Sequence, residues 1–537
     1  MIASSVECED SLPAGSISTV RAFFGQVGLM ASGLKYWTYT RSPTVLKISE
    51  KQAGTFTVSS GTEIYGELTI AGLSSTLHLR HKESFRANGM PGNFITGVLH
   101  DMTRVSLIDC AAHASSTVSR GEEHYHSAEL FPNFVVSGDQ HLHPDESSIT
   151  GVNFSIDDAA ILFQDFRAFG WVPDANDLIE RVVAREPPMR QRRIGADAQL
   201  IYFAGNRQIF SSETAYGTIS ASHNPVPLQV PAEIGFKNNI AVEIAFAEGI
   251  RFGEAISRTA RVIELMGLIV GRPQNLSGLH LRTTPEHSLR GLTVHWSMFP
   301  GRDSFKEFTR PESFDILLDA IDRPDRFADV IQNWFRELPH RHNARWRFFN
   351  CFACQKGYDI NRLVGAANMF DILPDSAVPP NSSLSDELRT AQTQTQRLFR
   401  DLPRSPERDS ILSALGRLGK SSLKHKIRHR ARITLEPCGD RFPELLLVTD
   451  EAVNCRNYYV HGSSQAFDYD RNFDAVVFFT DTLEFVFATS ELIEAGWDMK
   501  AWIAHGTSMT HPFGRYWGTY RDRLRALKAV MPVESAN

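Results

Sequence analysis

The sequence predicts an α+β multidomain protein, in which a β-rich N-terminal region is followed by an all-α C-terminal helical bundle. Up to about residue 305, short segments alternate apolar and polar residues and are separated by Gly, Ser, Asn and Asp, as half-buried strands are. From about residue 346, apolar residues recur with the helical period instead. We therefore divide the chain into a β-rich region at 1–305, a helical bridge at 306–345 and a helical domain at 346–537.

The composition is that of an ordinary globular protein. Hydrophobic residues make up 42% of the 537 residues and charged residues 22%, which suits two to four domains. The net charge is −6, so any contact with nucleic acid must come from a local basic patch. The six cysteines are sparse for this length, and neither a signal peptide nor an apolar run of ~20 residues is present. We expect a cytoplasmic protein that makes no contact with a membrane.

The β-rich region contains a series of segments with strand periodicity. Residues 93–99 and 103–107 predict a hairpin, and Phe252 to Ile269 predicts a helix with one apolar face. The sequence leaves open whether the strands after residue 198 are a second layer of this region or a small α+β domain packed on it. The other predicted strands are 44–48, 55–58, 67–70, 105–108, 151–156, 200–203, 241–246, 278–281 and 291–296.

The C-terminal part is predicted to be helical throughout. Helical segments are predicted at 314–318 and 327–335 in the bridge, and at 348–373, 386–402, 406–419, 474–495 and 520–531 in the helical domain. Ser405-Pro406 is a typical helix start, because a serine cap is followed by a proline at the first helical position.

The stretch from Cys455 to Gly462 is the strongest candidate for a functional site. It places Arg456, Asn457 and His461 at the end of a predicted helix, which Gly462 stops by adopting the left-handed cap conformation. A histidine moves protons near neutral pH, and an arginine binds a phosphate through two hydrogen bonds. Side chains five residues apart on an ideal helix point about 140° apart. We therefore expect that fraying at Gly462, or a second copy of the helix in a symmetric dimer, must bring the two together.

The most basic stretch of the chain directly precedes this motif. It includes Lys424, Lys426, Arg428 and Arg430. A solvated helix face and a phosphate-binding surface both explain such a run, and the sequence does not decide between them. Tyr459 in the motif is open to two similar interpretations, because it either stacks on a base or packs within the helical domain.

Two groups of residues suggest a metal site at first sight. His141 and His143 lie two positions apart, but polar residues surround them and a loop is the better interpretation. Cys351 and Cys354 form a CxxC pair downstream of two histidines, but no second pair follows and free cysteines in an apolar helix act as small hydrophobic residues. We expect no metal at either place, and a zinc-dependent protein is the least favoured hypothesis.

The motif resembles a known signature. Arg456-Asn457 and His461 match the Arg-x4-His signature of HEPN domains, and the longer context resembles the anti-phage ApeA group, which carries a HEPN domain after a β-rich N-terminal domain. The resemblance implies a metal-independent endoribonuclease without a cofactor, in which an RNA 2′-hydroxyl attacks the adjacent phosphate and leaves a cyclic phosphate end. Arg456, Asn457 and His461 would be its catalytic residues, and Lys424, Lys426, Arg428, Arg430 and Tyr459 would bind the RNA.

The resemblance also bears on partners and biological role. It implies anti-phage defence through shutdown of the host cell. The N-terminal region would sense a phage-derived trigger and hold the nuclease inactive until then. We expect a homodimer from the geometry of the motif. The main alternative is a catalytically inactive HEPN-type scaffold that binds RNA or protein and in which Arg456 and His461 serve structure.

Overall fold

The structure is a computed structural model that describes most of the chain. The described residues are 50–58, 61–82, 94–185, 193–230, 233–284, 291–299, 309–355, 357–379, 384–419 and 421–532. The predicted strand at 44–48 lies outside them.

The N-terminal region is built on one large antiparallel sheet. In the described residues the strands are β1 Lys51–Thr57, β2 Glu63–Thr69, β3 Thr76–His81, β4 Ile95–Leu99, β5 Arg104–Arg120, β6 Glu123–Gly138, β7 Ile149–Ile156, β8 Phe169–Val172, β9 Leu200–Phe203, β10 Gln208–Thr214, β11 Gly217–Ser222, β12 Pro225–Val230, β13 Glu233–Asn238, β14 Ala241–Ile250, β15 Leu276–Thr283 and β16 Leu292–Trp296. Twelve of them form the sheet in the order β10-β11-β14-β7-β15-β16-β6-β3-β2-β1-β4-β5, while β8 pairs with β9 and β12 with β13.

Six of these strands close into a ring. β5 pairs with β6 as well as with β4, so the order β6-β3-β2-β1-β4-β5 returns to its start. Alternate residues of each strand point inward, and large apolar side chains such as Phe56, Leu68, Leu79 and Leu107 fill the interior. The predicted hairpin at 93–107 is confirmed, because β4 and β5 pair with Ile95 opposite Leu107.

Five of the strands after residue 198 continue the same sheet: β10, β11, β14, β15 and β16. The C-terminal half of β6 pairs with β16 through Val136 and Val294, and β15, β7, β14, β11 and β10 follow in order. The predicted helix is confirmed as Phe252–Val270, and its apolar face is buried against this extension. These five strands therefore form one continuous sheet with the first ones, whereas β9 and the β12-β13 pair lie outside it.

The C-terminal part is helical, as predicted. The helices of the described chain are α1 Ala159–Leu162, α2 Asn176–Val183, α3 Phe252–Val270, α4 Pro324–Ala353, α5 Ile360–Asp371, α6 Asp386–Arg400, α7 Pro406–Gly416, α8 Leu423–Cys438, α9 Leu445–His461, α10 Phe473–Glu494, α11 Met499–Ala504 and α12 Pro512–Val530. No helix in the described residues is long and apolar enough to cross a membrane.

One helix joins the two regions, and here the structure differs from the predicted segments. α4 is continuous over 30 residues, so the predicted boundary at residue 346 falls inside it. Its first half packs on the sheet, where Phe327 contacts Phe210, and its second half packs in the helical domain, where Phe348 stacks on Phe487. The helix predicted over 348–373 is interrupted, because α4 ends and the side chain of Asp359 caps a new helix, α5.

A buried carboxylate fastens the segment that leads from the sheet to α4. The segment predicted as a helix at 314–318 forms only a one-turn 3₁₀ helix, Ser313–Asp315. The fully buried Asp315 accepts hydrogen bonds from the backbone N–H groups of Ser508 and Thr510, at 2.8 and 2.7 Å, and from the hydroxyls of Thr507, Ser508 and Thr510. These donors lie just before α12, so one side chain ties the connecting segment to the helical domain.

We expect Asp315→Ala to lower the free energy of unfolding by about 2–4 kcal/mol, because it leaves several buried donors without an acceptor. Burial raises the pKa of Asp315, but the hydrogen bonds from Thr510 and Ser508 outweigh it and hold that pKa below its ordinary value of 3.8. The contribution of Asp315 to the free energy of unfolding should therefore be complete above about pH 4 and decline as the pH falls further. Urea unfolding of the variant beside Glu312→Ala, an exposed carboxylate of the same segment, measures this effect. Equal losses in both variants would refute it.

Candidate active site

The motif lies at the end of α9, as predicted. α9 runs from Leu445 to His461, and Gly462 follows it with φ = 65° and donates its N–H to Tyr458 O at 2.9 Å. This left-handed conformation is the one that glycine adopts without strain. Arg456 is half-buried, whereas His461 is exposed on the last turn. The two side chains are therefore presented at the surface, at the negative end of a helix that favours cations.

Arg456 and His461 meet within one chain. Arg456 Nη1 lies 3.1 Å from His461 Nε2, and it also donates to Asn457 Oδ1 at 3.0 Å. This contact requires neither of the two expected arrangements, fraying at Gly462 or a second copy of the helix, because the long arginine side chain spans the angular separation between the two positions. The contact removes the geometric reason for a second copy of the helix at this site.

A residue that the sequence reasoning missed completes the site. Asn368 on α5 accepts a hydrogen bond from Arg456 Nη2 at 3.0 Å. It stands among buried residues of α5, including Ala366, Ala367 and Met369, and is itself half-buried. A polar residue within an apolar helix was the only signal in the sequence, and it does not reveal the partner helix. The guanidinium is thus fixed from two helices.

The chemistry of the guanidinium sets the direction of the hydrogen bond between the two side chains. A guanidinium has no acceptor, so Arg456 must donate and His461 Nε2 must accept. An imidazole beside a fixed guanidinium is a pair of groups that can take a proton from a hydroxyl and stabilise a phosphate.

Tyr459 lies in an aromatic cluster beside the motif. Its ring contacts those of Tyr458 and Tyr469, and its hydroxyl donates to Asp470 Oδ1 at 2.8 Å. Burial and the nearby Asp470 carboxylate raise the pKa of Tyr459. These contacts give the residue a packing role, and they leave its stacking on a base as a prediction.

All four predicted RNA-binding cations on α8 already have partners in the protein, and three of them stay at the surface. Lys424 Nζ contacts Asn454 Oδ1 at 3.3 Å and Lys426 Nζ donates to Asp371 O at 2.7 Å. Arg428 forms a two-pronged ion pair with Asp450. Each side chain stays at least partly accessible, so a contact with RNA at these positions remains a prediction that requires sharing or exchange of partners.

The structure contradicts the prediction that Arg430 binds RNA. Its side chain is 0% exposed and donates to the buried Glu491 at 2.8 Å and to Glu494 at 2.6 Å. Arg341 and Arg345 bind Glu491 from α4, each at 2.7 Å. Burial alone would raise the pKa of Glu491, but these guanidiniums outweigh it and lower that pKa below its ordinary value. Arg430 is therefore part of an ion-pair network that joins α4, α8 and α10.

The residues that suggested a metal have other surroundings. His141 and His143 lie in a loop, as expected, where His141 Nδ1 contacts Val105 O at 3.1 Å and His143 packs on Phe94. Cys351 is buried on α4, and burial raises its pKa to about 12. Such a thiol is a poor metal ligand, since the ligand is the thiolate.

A β-rich region joined to a helical domain with an Arg/His pair at a helix end defines a two-part protein of the HEPN class. Comparison with family models agrees: ApeA N-terminal domain 1 matches residues 51–334, and Apea-like HEPN matches residues 364–501. The chain belongs to the ApeA family. Comparisons with curated proteins and with solved structures give no match.

Proposed function

We propose that the protein is a metal-independent endoribonuclease. The observation that carries the proposal is the contact between Arg456 and His461 at an exposed helix end. HEPN domains are generally associated with ribonuclease-type functions in defence, which gives the class of reaction. A surface site suits a polymer, because a long RNA reaches it without entering a deep cavity.

In the proposed reaction, His461 Nε2 gives up its contact with Arg456 and takes the proton from a ribose 2′-hydroxyl. The 2′-oxygen forms a bond to the adjacent phosphorus, and the bond from phosphorus to the 5′-oxygen of the next nucleotide breaks. That oxygen receives a proton, either from the protonated His461 or from water. Arg456 stabilises the charge on the non-bridging phosphate oxygens. Asn457 and Asn368 hold the guanidinium in place.

One observation favours the alternative of a catalytically inactive scaffold that binds RNA or protein. The hydrogen bonds of Arg456 to Asn457, His461 and Asn368 all go to groups of the protein itself, so the side chain also serves to join α5 to α9. In a purely structural role, removal of Arg456 would lower stability, whereas removal of the exposed His461 would change little. The two variants therefore separate the alternatives.

The biological role is proposed from the family. The N-terminal region would sense a phage-derived trigger and restrain the nuclease, and cleavage of RNA would stop growth of the infected cell. We also propose that the protein forms a homodimer. α4 offers a direct path between the two regions, because it packs on the sheet at one end and in the helical domain at the other.

Expression in cells tests the proposal. Wild type and His461→Ala are induced at equal protein levels, with and without phage infection, while growth and the integrity of total RNA are followed. We expect growth arrest and RNA breakage with wild type alone. Equal protection against phage by both proteins, with intact RNA, would rule out the catalytic role and leave the scaffold.

Asn368→Ala should lower kcat/KM by about ten- to a hundredfold, because a misplaced catalytic group costs that much even when the group is retained. Asn361→Ala is a matched control, since Asn361 is an exposed asparagine on the same helix, α5. Rates on a defined RNA give the comparison. Unchanged kcat/KM in Asn368→Ala would show that its contact with Arg456 has no part in the reaction.

A further inference from the structure

α6 and α7 form a helical arm that is separate from the core of the helical domain. No residue of either helix is buried. The two helices are fastened to each other, since Gln392 Nε2 donates to Leu415 O at 2.5 Å and Arg408 Nε donates to Phe399 O at 2.7 Å. We call residues 386–416 the arm. A substitution on its outer surface leaves the core packing unchanged.

The arm leaves the domain beside the Arg/His site. We call the segments that connect the arm to α5 and to α8 its first and second roots. Ser421 Oγ in the second root donates to Pro379 O in the first at 3.0 Å. The first root follows α5, which carries Asn368, the residue that holds Arg456. The second root leads into α8, whose first turn carries Lys424 in contact with α9. Both roots thus begin on helices that contact α9.

An arginine stripe follows one side of α6. Arg389, Arg397 and Arg400 are spaced by eight and three residues, which keeps them on one face of the helix, and Arg404 follows in the connecting loop. Arg389 has a loose ion pair with Asp386 at 3.5 Å. Within the described part of the chain, no side chain pairs with the guanidiniums of Arg397, Arg400 and Arg404, which are exposed.

This stripe differs from the basic stretch of α8. There Arg430 is buried by Glu491 and Arg428 is held by Asp450, so neutralising a phosphate would first require breaking an ion pair. Arg397, Arg400 and Arg404 carry no such cost. Since binding of single-stranded nucleic acid depends on releasing counterions from phosphates, unpaired guanidiniums on an exposed helix are the better placed cations.

We infer that the arm binds the phosphate backbone of single-stranded RNA and holds it beside the Arg/His site. The inference rests on the proposed ribonuclease function. α6 is about 22 Å long, so the stripe spans several nucleotides and contacts the backbone without reading the sequence. A substrate too short to reach the arm is cleaved without its help.

A salt titration of RNA binding tests the arm directly. The full chain carrying His461→Ala is used, with a labelled single-stranded RNA of about 20 nucleotides chosen to exceed the arm. Adding Arg397→Ala and Arg400→Ala should weaken binding about tenfold at 0.1 M salt and reduce the salt slope by ~1.4, or ~0.7 for each phosphate contact. The matched control is Arg521→Ala with Arg525→Ala, which removes two exposed arginines from α12. It should leave both values unchanged.

Cleavage by the catalytically intact protein separates the arm from the site. We expect Arg397→Ala/Arg400→Ala to cleave the long RNA more slowly than wild type but to cleave an RNA dinucleotide at the same rate. Equal affinity, salt slope and cleavage of long RNA in the variant and wild type would overturn the inference and leave the nuclease intact. If wild type taken from phage-infected cells cleaves neither substrate, the proposed function fails, and the titration still decides whether the arm binds RNA.

Discussion

Alanine at either Arg456 or His461 will lower the rate of RNA cleavage about a thousandfold, because each removes one half of the catalytic pair. Loss of His461 removes the proton acceptor, and loss of Arg456 removes the cation that stabilises the phosphate; each effect typically has this magnitude. The double variant should be scarcely slower than either single one, since groups that act as a unit are not additive. Single-turnover rates on one defined RNA measure all three.

Two further variants control for loss of charge and of imidazole. His505→Ala removes an exposed histidine at the C-terminal end of α11, and Arg521→Ala removes an exposed arginine from α12. Both should cleave RNA at the wild-type rate. Melting temperatures should show that His461→Ala is folded, because its side chain is exposed. If His461→Ala retained wild-type cleavage, the catalytic role of the pair would be refuted.

Glu491→Gln will lower the free energy of unfolding by about 3–5 kcal/mol, the largest stability effect expected for a single neutralisation here. Glu491 is fully buried and binds Arg341, Arg345 and Arg430, each within 2.8 Å. Without that charge, Arg341 and Arg430 keep Glu494, and Arg341 also lies 3.9 Å from Glu337. Among the described residues, Arg345 has no ion pair other than the one with Glu491. Because the network joins α4 to α8 and α10, the helical domain should unfold first. Urea unfolding followed by circular dichroism at 222 nm measures the loss.

The effect of Glu491 should depend on pH in a definite direction. The arginines hold the pKa of Glu491 below its ordinary value of 4.5, so the folded carboxylate stays ionised where the unfolded one takes up a proton. Its contribution is complete above about pH 5 and declines as the pH falls through and below 4.5. The difference in the free energy of unfolding between wild type and Glu491→Gln should therefore become smaller in acid. Glu436→Gln neutralises an exposed carboxylate on α8 and should leave the free energy of unfolding close to that of wild type at every pH. A difference between wild type and Glu491→Gln that stayed constant with pH would refute the argument.

Much of the fold followed from periodicity. The strands at β4 and β5, the helix α3 and the cap at Gly462 were predicted because their signals are local: alternation, a 3.6-residue stripe and a glycine stop. The closure of β5 onto β6 and the continuity of α4 were not predicted. Ring closure depends on pairing between distant segments, and α4 carries Pro339 inside an otherwise helical pattern.

The candidate site was predicted in part. The motif on α9 is local, so the residues themselves were found, but their contact depends on a side-chain conformation that helix geometry alone does not give. Asn368 was missed because it comes from another helix, 88 residues earlier. Arg430 was misjudged for the opposite reason: a basic run looks uniform in sequence, while its acidic partners Glu491 and Glu494 are distant.

The most direct test of the central claim is the chemistry of the cleaved ends. Purified wild type and His461→Ala, each taken from phage-infected cells, are incubated with RNA in EDTA, and the 3′ ends of the products are identified by mass spectrometry. The proposed mechanism predicts 2′,3′-cyclic phosphate ends from wild type and intact RNA from His461→Ala. Intact RNA with both proteins, or 3′-hydroxyl ends that form only when a metal is supplied, would contradict it.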